Sequence, residues 1–304
     1  MKILLFGARG QVGWQLQRSL SVLGEVVALD RRSAALCGDL SDIEGVAATV
    51  AAVAPDVVVN AAAYTAVDRA EDEPELAFAI NAQACEAIAR AAARCGAWVV
   101  HYSSDYVYDG SGERPWRESD PTGPLGAYGR SKLAGDEAVA RENPRHLVLR
   151  TSWVFDSWGR NFARSILEAA ATRDELTIVA DQWGAPTRAA LIADVTAHVL
   201  RSLRQRGEDP SLAGVYHLAA AGFTTWHGYA LLLLQEAQRV GLPLRATPDR
   251  VRPIPSRDYP VRAARPANSR LDTTRLRETF GLSLPPWQDG VRAVIAELAH
   301  HRAS

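Results

Sequence analysis

Tyr128 and Lys132, in the run Tyr128-Gly129-Arg130-Ser131-Lys132, place a phenol and an ammonium four residues apart. On a helix that spacing puts both on one face. Reduction of a carbonyl needs a proton donor beside the oxygen that becomes an alkoxide. A phenol, whose pKa starts near ~10, serves better with a cation close by to favour its ionised form. The same spacing also arises by chance on solvated helices. Ser103-Ser104-Asp105 changes the weighting, because it follows Trp98–Tyr102, a run that reads as a strand. In a parallel α/β sheet the carboxyl end of such a strand opens into the ligand crevice. A serine hydroxyl there can bond the substrate carbonyl and steady the tyrosine; the plainer alternative is two serines satisfying a turn. Strand-end serine, tyrosine and lysine together point to carbonyl reduction.

A reductase needs a hydride source, and the N-terminal segment has the composition to hold one. Gly7, Gly10 and Gly13 follow the first apolar run and open a helical stretch, where small residues let the backbone approach a pyrophosphate at a helix N-terminus. Their spacing is GxxGxxG and not the GxGxxG of the usual dinucleotide fingerprint, so position carries the reading. Asp30 ends the second strand, near where an acid meets the adenosine ribose hydroxyls. Arg31 and Arg32 come next, and a guanidinium there suits a 2′-phosphate. NADPH and NADH therefore both stay open. Asp39-Leu40 is placed to contact adenine, with helix capping an equal alternative for Asp39. The small side chains of Ala61, Ala62 and Ala63, after Asn60, suit the strand end beside a cofactor.

The elements that must position these residues alternate along the first half. Strands are expected at Ile3–Phe6, Glu25–Leu29, Val57–Asn60, Trp98–Tyr102 and Leu147–Thr151. Helices are expected at Gln11–Leu23, Ile43–Val53, Glu75–Cys95 and Ala127–Glu142. Repeated βαβ units imply an α/β fold, a doubly wound parallel sheet with helices on both faces. Later come a helix Asn161–Ala171, a strand Leu176–Val179, a helix Leu191–Leu203, a strand Gly214–Ala219 and a helix Thr225–Val240. We expect a dinucleotide-binding domain over 1–151, with return segments near 191–220. A smaller interleaved substrate-binding lobe is expected over most of 152–304.

The chain has 304 residues, 47% of them apolar, enough for such an arrangement. Lys plus Arg (34) nearly balance Asp plus Glu (35), so no global field draws it to nucleic acid or an anionic membrane. A small ligand is the expected partner. Three cysteines, Cys37, Cys85 and Cys95, form no CxxC, which reads as buried free thiols. The apolar start stops at Gly7 and no other window reaches membrane-spanning length, so a cytoplasmic protein is expected. His101 and His217 fall in apolar strands and read as satisfied core histidines.

Taken together, Gly7-Ala8-Arg9-Gly10-Gln11-Val12-Gly13-Trp14, Asn60 to Asp68, Ser103 to Gly110 and Tyr128 to Gly135 resemble the extended short-chain dehydrogenase/reductase superfamily. With Arg150 to Phe155, Asp181 to Thr187 and Arg265 to Leu271, the chain is similar to the dTDP-4-dehydrorhamnose reductase family over nearly its whole length. The resemblance implies a Rossmann-like fold and reduction of the C4 keto group of dTDP-4-dehydro-L-rhamnose to dTDP-L-rhamnose, the last step in making that donor. It makes Tyr128 the proton donor, Lys132 the group that binds the nicotinamide ribose and tunes Tyr128, and Ser104 the hydroxyl. Gly10, Gln11, Val12, Asp30, Asp39, Leu40, Ala63 and Thr65 would line the cofactor; Val67, Asp105 and Trp153 would meet the dTDP-sugar.

One of Arg257, Arg262, Arg265 and Arg270 is expected on the diphosphate. The family usually has Thr where this chain has Ser104, which keeps the hydroxyl. Some members dimerise through a magnesium site with a glutamate just after the first-helix tryptophan. Here that residue is Gln15, a poor ligand for a hard cation, so no metal is expected and a homodimer stays open. The alternatives are a sugar-nucleotide epimerase or dehydratase of the same superfamily, or a non-catalytic subunit on the same scaffold.

Overall fold

Short aliphatic runs with no polar alternation must be buried on both faces, and the N-terminal strands obey this. The structure, a computed structural model, describes residues 1–207 and 209–303, without the side chains of 301–303. In β1 (Lys2–Phe6) Ile3 and Leu5 enter one core while Leu4 and Phe6 enter the core on the other side of the sheet. The same division holds in β3 (Val57–Asn60), with β2 (Glu25–Leu29) on the far side of β1. Then come β4 (Trp98–Ser104) and β5 (His146–Thr151). After the short β6 (Val154–Phe155), β7 (Leu176–Val179), β8 (Trp183–Gly184) and β9 (Thr187–Arg188), the chain returns as β10 (Gly214–His217). The sheet order is β10-β5-β4-β3-β1-β2, all parallel. Strand order reverses between β1 and β3, and a crevice for a ligand opens at their carboxyl ends.

Helices cover both faces. On one lie α1 (Gln11–Leu20) and, from far along the chain, α7 (Ala189–Gln205), through Leu16, Leu20, Ile192, Val199 and Leu203. On the other lie α2 (Ile43–Val53), capped by Asp42, which accepts from Gly45 N–H at 2.9 Å, and α4 (Ala84–Arg94). The predicted helix Glu75–Cys95 is broken: α3 (Pro74–Phe78) leads through a π turn, Ala79–Gln83, into α4. The cause is Asn81. Its amide accepts from Tyr64 N–H at 2.9 Å and donates to Tyr64 carbonyl at 3.1 Å and to Ser131 Oγ at 2.9 Å, so the helix backbone bulges to deliver it.

α5 (Ala127–Glu142) packs on this bulge so closely that a Cβ at Gly135 would stand 2.0 Å from Asn81 carbonyl oxygen. A third core holds Phe155, Leu176, Tyr229, Trp287 and Ile295. Around it lie α6 (Phe162–Thr172), α8 (Trp226–Arg239) and α10 (Trp287–Ala303), while α9 (Thr274–Phe280) returns to the first core. Short ladders bind β6 to β9, β8 to β11 (Thr224–Thr225) and β7 to β12 (Val251–Ile254). Of the three thiols expected to be buried, only Cys85 is; Cys37 is half-buried and Cys95 exposed, because α4 ends one residue before Cys95. Among the described residues no helix is long and apolar enough to cross a membrane.

The first turn of α1 is packed as tightly as Gly135. A Cβ at Gly13 would lie 2.0 Å from the Gly7 carbonyl oxygen. Gly13→Ala is expected to cost roughly 1–3 kcal/mol through this overlap, measured as a lowered Tm, with weaker binding of a nicotinamide dinucleotide in the same sample.

Candidate active site

Glycine makes the turn after β1 because nothing else fits. Gly7 has φ +83° and a Cβ there would meet the Ala61 and Ala62 backbone at 2.6 Å. Gly10 is the N-cap of α1 with no side-chain cap, so the first N–H groups of that helix remain available to an anion, and Ala61 to Ala63 run beside the turn after β3. These features fit a dinucleotide pyrophosphate. Gln11 accepts from Asn161 Nδ2 at 2.8 Å, tying the mouth of the crevice to the loop before α6, and Val12 packs on the first core. At the end of β2, Asp30 pairs with Arg9 Nε at 2.7 Å and accepts from Arg32 N–H at 2.6 Å; Arg31 is exposed.

Asp39 caps no helix. It accepts from Ser41 N–H and Oγ at 3.0 and 2.8 Å, and Asp42 takes the cap instead. Leu40 sends its side chain into the core, so only its backbone faces outward. Thr65 is exposed and Val67 half-buried in the loop after β3.

β4 separates the two serines that sequence left together. Ser104, at the strand end, lies close enough to the phenol of Tyr128 to bear on its ionisation, donates to Asp105 Oδ1 at 3.1 Å and accepts from Tyr106 N–H at 3.2 Å. Ser103 is paired with Arg150 in the ladder and makes no side-chain hydrogen bond among the described residues. Tyr128 stands edge-on to Tyr106, centroids 5.5 Å apart. Burial pushes its phenol well above the usual range, with the Ser104 hydroxyl opposing. Lys132 is 2% exposed; its Nζ donates to Tyr102 carbonyl at 2.7 Å, and burial pulls its pKa down. Hydroxyl, phenol and ammonium thus gather at the carboxyl end of β4, on the same edge of the sheet as the turn after β1, with β3 between them.

Asp105 is 2% exposed, and its Oδ2 has no hydrogen-bond partner among the described residues. It is a polar atom suited to a ligand hydroxyl. Trp153 adopts φ +47° and stacks on Trp226 with centroids 3.5 Å apart, while Gly184 lies against its ring, too near for a Cβ. One face of the indole is therefore committed to the protein. Of the four arginines, Arg257 is exposed beside Asp258, and Arg262 pairs with Asp72. Arg270 binds Asn268 and lies 5.4 Å from the Trp183 ring centroid. Arg265 binds Asp68 at 2.8 Å, bears with its charge on the Tyr106 phenol and keeps its Nε unpartnered among the described residues, which places it nearest the tyrosine pair.

Gln15 donates to Asp156 at 3.1 Å. His101 and His217 are buried and hydrogen-bonded, as core histidines should be. Sequence reasoning passed over Asp136, which is one turn beyond Lys132 on the same face of α5, and its partner Arg150. The i, i+4, i+8 spacing from Tyr128 is the signal that would have found Asp136.

Burial raises the Asp105 carboxyl from its ordinary 3.8 to about 6. The folded chain then holds this proton more tightly than the unfolded chain, so stability declines as pH rises through that window and stays reduced above it. Asp105→Asn removes the penalty. The variant is expected to be more stable than the parent at neutral pH by up to about 3 kcal/mol, with the difference gone below about pH 4, in paired denaturant titrations.

The family described as RmlD substrate binding domain matches residues 1–300. The chain is 51% identical over 298 residues, 98% of each partner, to the dTDP-4-dehydrorhamnose reductases of Salmonella typhimurium and of Escherichia coli K12. Among solved structures, a Clostridium acetobutylicum dTDP-4-dehydrorhamnose reductase superimposes with a TM-score of 0.86 at 31% identity, over 98% of this chain and 99% of that one. The Bacillus anthracis enzyme in complex with NADP gives 0.83 at 30% identity, over 97% and 99%. By sequence, by fold and by the length matched, this chain belongs to the dTDP-4-dehydrorhamnose reductase family.

Proposed function

We propose that this chain reduces the C4 keto group of dTDP-4-dehydro-L-rhamnose to give dTDP-L-rhamnose, using NADPH or NADH. The observation that carries the proposal is the gathering of Ser104, Tyr128 and Lys132 at the end of β4, on the same edge of the sheet as a glycine cradle. The names of the relatives support the same substrate.

Tyr128 gives its proton to the C4 oxygen as that oxygen gains charge, and Ser104 turns its hydroxyl proton from Asp105 Oδ1 to the same oxygen. Lys132, bonded to Tyr102 carbonyl, holds a positive charge where the phenolate forms. The nicotinamide, when bound, supplies the hydride to C4. Gly7, Gly10, Gln11, Val12 and Gly13 would hold its pyrophosphate, and Ala61, Ala62, Ala63 and Thr65 would lie alongside. Asp30, Arg31, Asp39 and the backbone of Leu40 would flank the adenosine. Asp30 meets ribose hydroxyls, and Arg9 and Arg31 supply cations for a 2′-phosphate, so both cofactors are expected to serve. Val67, Asp105 and Trp153 would contact the sugar nucleotide, and Arg265 is the guanidinium we place on its diphosphate.

The test is consumption of reduced nicotinamide, followed by its absorbance, with dTDP-4-dehydro-L-rhamnose and each cofactor in turn. Tyr128→Phe is expected to lose about 10²–10⁴-fold in kcat; full activity in that variant overturns the mechanism. Arg265→Ala is expected to raise the KM for the sugar nucleotide by roughly 10–100-fold while leaving cofactor binding unchanged. An unchanged KM removes Arg265 from the diphosphate.

A further inference from the structure

Behind the phenol and the ammonium, α5 carries a third ionisable side chain on the same face. Asp136 is 3% exposed, and its Oδ2 accepts from Arg150 Nε at 3.0 Å. Arg150, itself buried, donates through Nη1 to Tyr108 hydroxyl at 2.8 Å, and that hydroxyl meets His217 Nε2 at 2.7 Å. The other carboxylate oxygen, Asp136 Oδ1, makes no hydrogen bond among the described residues and faces His101 Nε2 at 3.8 Å. His101 Nε2 is also 3.4 Å from Lys132 Nζ.

Neighbouring groups decide the state of this histidine. Ala62 N–H donates to Asn60 Oδ1 at 3.2 Å, which turns Asn60 Nδ2 toward His101 Nδ1 at 3.5 Å. Burial and the Lys132 charge keep the ring neutral, holding its pKa well below the usual value. A neutral imidazole thus stands between the carboxylate and the ammonium.

The charges around the pair can be counted element by element. Lys132 faces the Cys85 thiol from α4, pushed up by burial to about 11 and so neutral, His101 and the Tyr102 carbonyl from β4, Asp136 from α5, and beyond Asp136 the Arg150 guanidinium from β5. Tyr128 faces Ser104, Asp105, Tyr106 and Asp136. A buried lone ammonium beside a lone guanidinium would repel strongly; the carboxylate between them leaves one net positive charge behind the phenol.

We infer that Asp136 and Arg150 are positioning residues that act as the charge counterweight of the Tyr128–Lys132 pair, setting the pH at which that pair releases its proton, with His101 as a neutral wedge. This rests on the reductase reading. Reduction requires Tyr128 to begin protonated, so activity falls on the alkaline side as the coupled pair loses its first proton. Asp136→Asn leaves Arg150 and Lys132 uncompensated and moves that alkaline limb to lower pH. Arg150→Gln leaves the carboxylate uncompensated and moves it to higher pH. The double variant restores the charge count and with it the limb.

The experiment is the pH profile of kcat/KM for the parent, both single variants and the double variant, with Tm measured for each. The expected result is a downward shift of about one pH unit or more in Asp136→Asn, recovered in the double variant. If Asp136→Asn does not fold, Arg150→Gln against the double variant reads the same difference. A limb at one pH in all folded variants, or a double variant with the most displaced limb, overturns the inference. Titrating the ultraviolet phenolate absorbance of Tyr128, taken as the difference from Tyr128→Phe, follows the same proton without substrate. An inactive parent would therefore sink the reductase reading while this titration still decides the counterweight.

Discussion

The hydrogen bond from Lys132 Nζ to the carbonyl of Tyr102 is the contact on which the site depends. Taking an ammonium out of water costs several kcal/mol, and one carbonyl acceptor does not repay that. The rest must come from the way α5 is held. Gly129 lets the helix come so near the end of β4 that a Cβ would stand 2.3 Å from the Tyr106 carbonyl oxygen, and Gly135 does the same against the π turn. Only at that separation does a lysine side chain reach the strand backbone while a phenol four residues earlier reaches Ser104. The charged neighbours of Lys132 are arranged within the same narrow layer, and the Asn81 bulge is the surface it packs on.

Much of this could be read from residue types. The uninterrupted aliphatic runs gave strands whose bounds fall within two residues of the observed ones, because burial on both faces of a parallel sheet leaves no other pattern. The hydroxyl, phenol and ammonium were legible because their chemistry and spacing are local. The choice of Ser104 over Ser103 came from the family resemblance and not from residue types, since adjacent residues of a strand differ only in the side they face, and that is settled by packing. The break in the predicted helix Glu75–Cys95 was hidden for a related reason: its cause, Asn81, bonds to Tyr64 and Ser131, which are distant in sequence. Asp136 stands at a legible spacing but went unread, and its partner on β5 could be found only from the register of β4 against β5.

The smaller core joins the sheet by ties of two kinds. One is packing, in which Trp153 in a left-handed backbone conformation stacks on Trp226. The other is ionic, in which Asp68 and Asp72, just after β3, bind Arg265 and Arg262 from a segment nearly two hundred residues away. The ionic ties are partly exposed and individually weak. Their effect is to keep the arginine-bearing segment over the mouth of the crevice.

The close seat of α5 also governs how the site can fail. Tyr128, Lys132 and Asp136 belong to one helix and keep their mutual geometry whatever that helix does. Any residue larger than glycine at position 135 would lift all three together from β4. The phenol and the ammonium would keep their mutual spacing while losing Ser104 and the Tyr102 carbonyl. Such a lesion would look like a defect of substrate placement, although every group that carries the chemistry was still present and still correctly spaced.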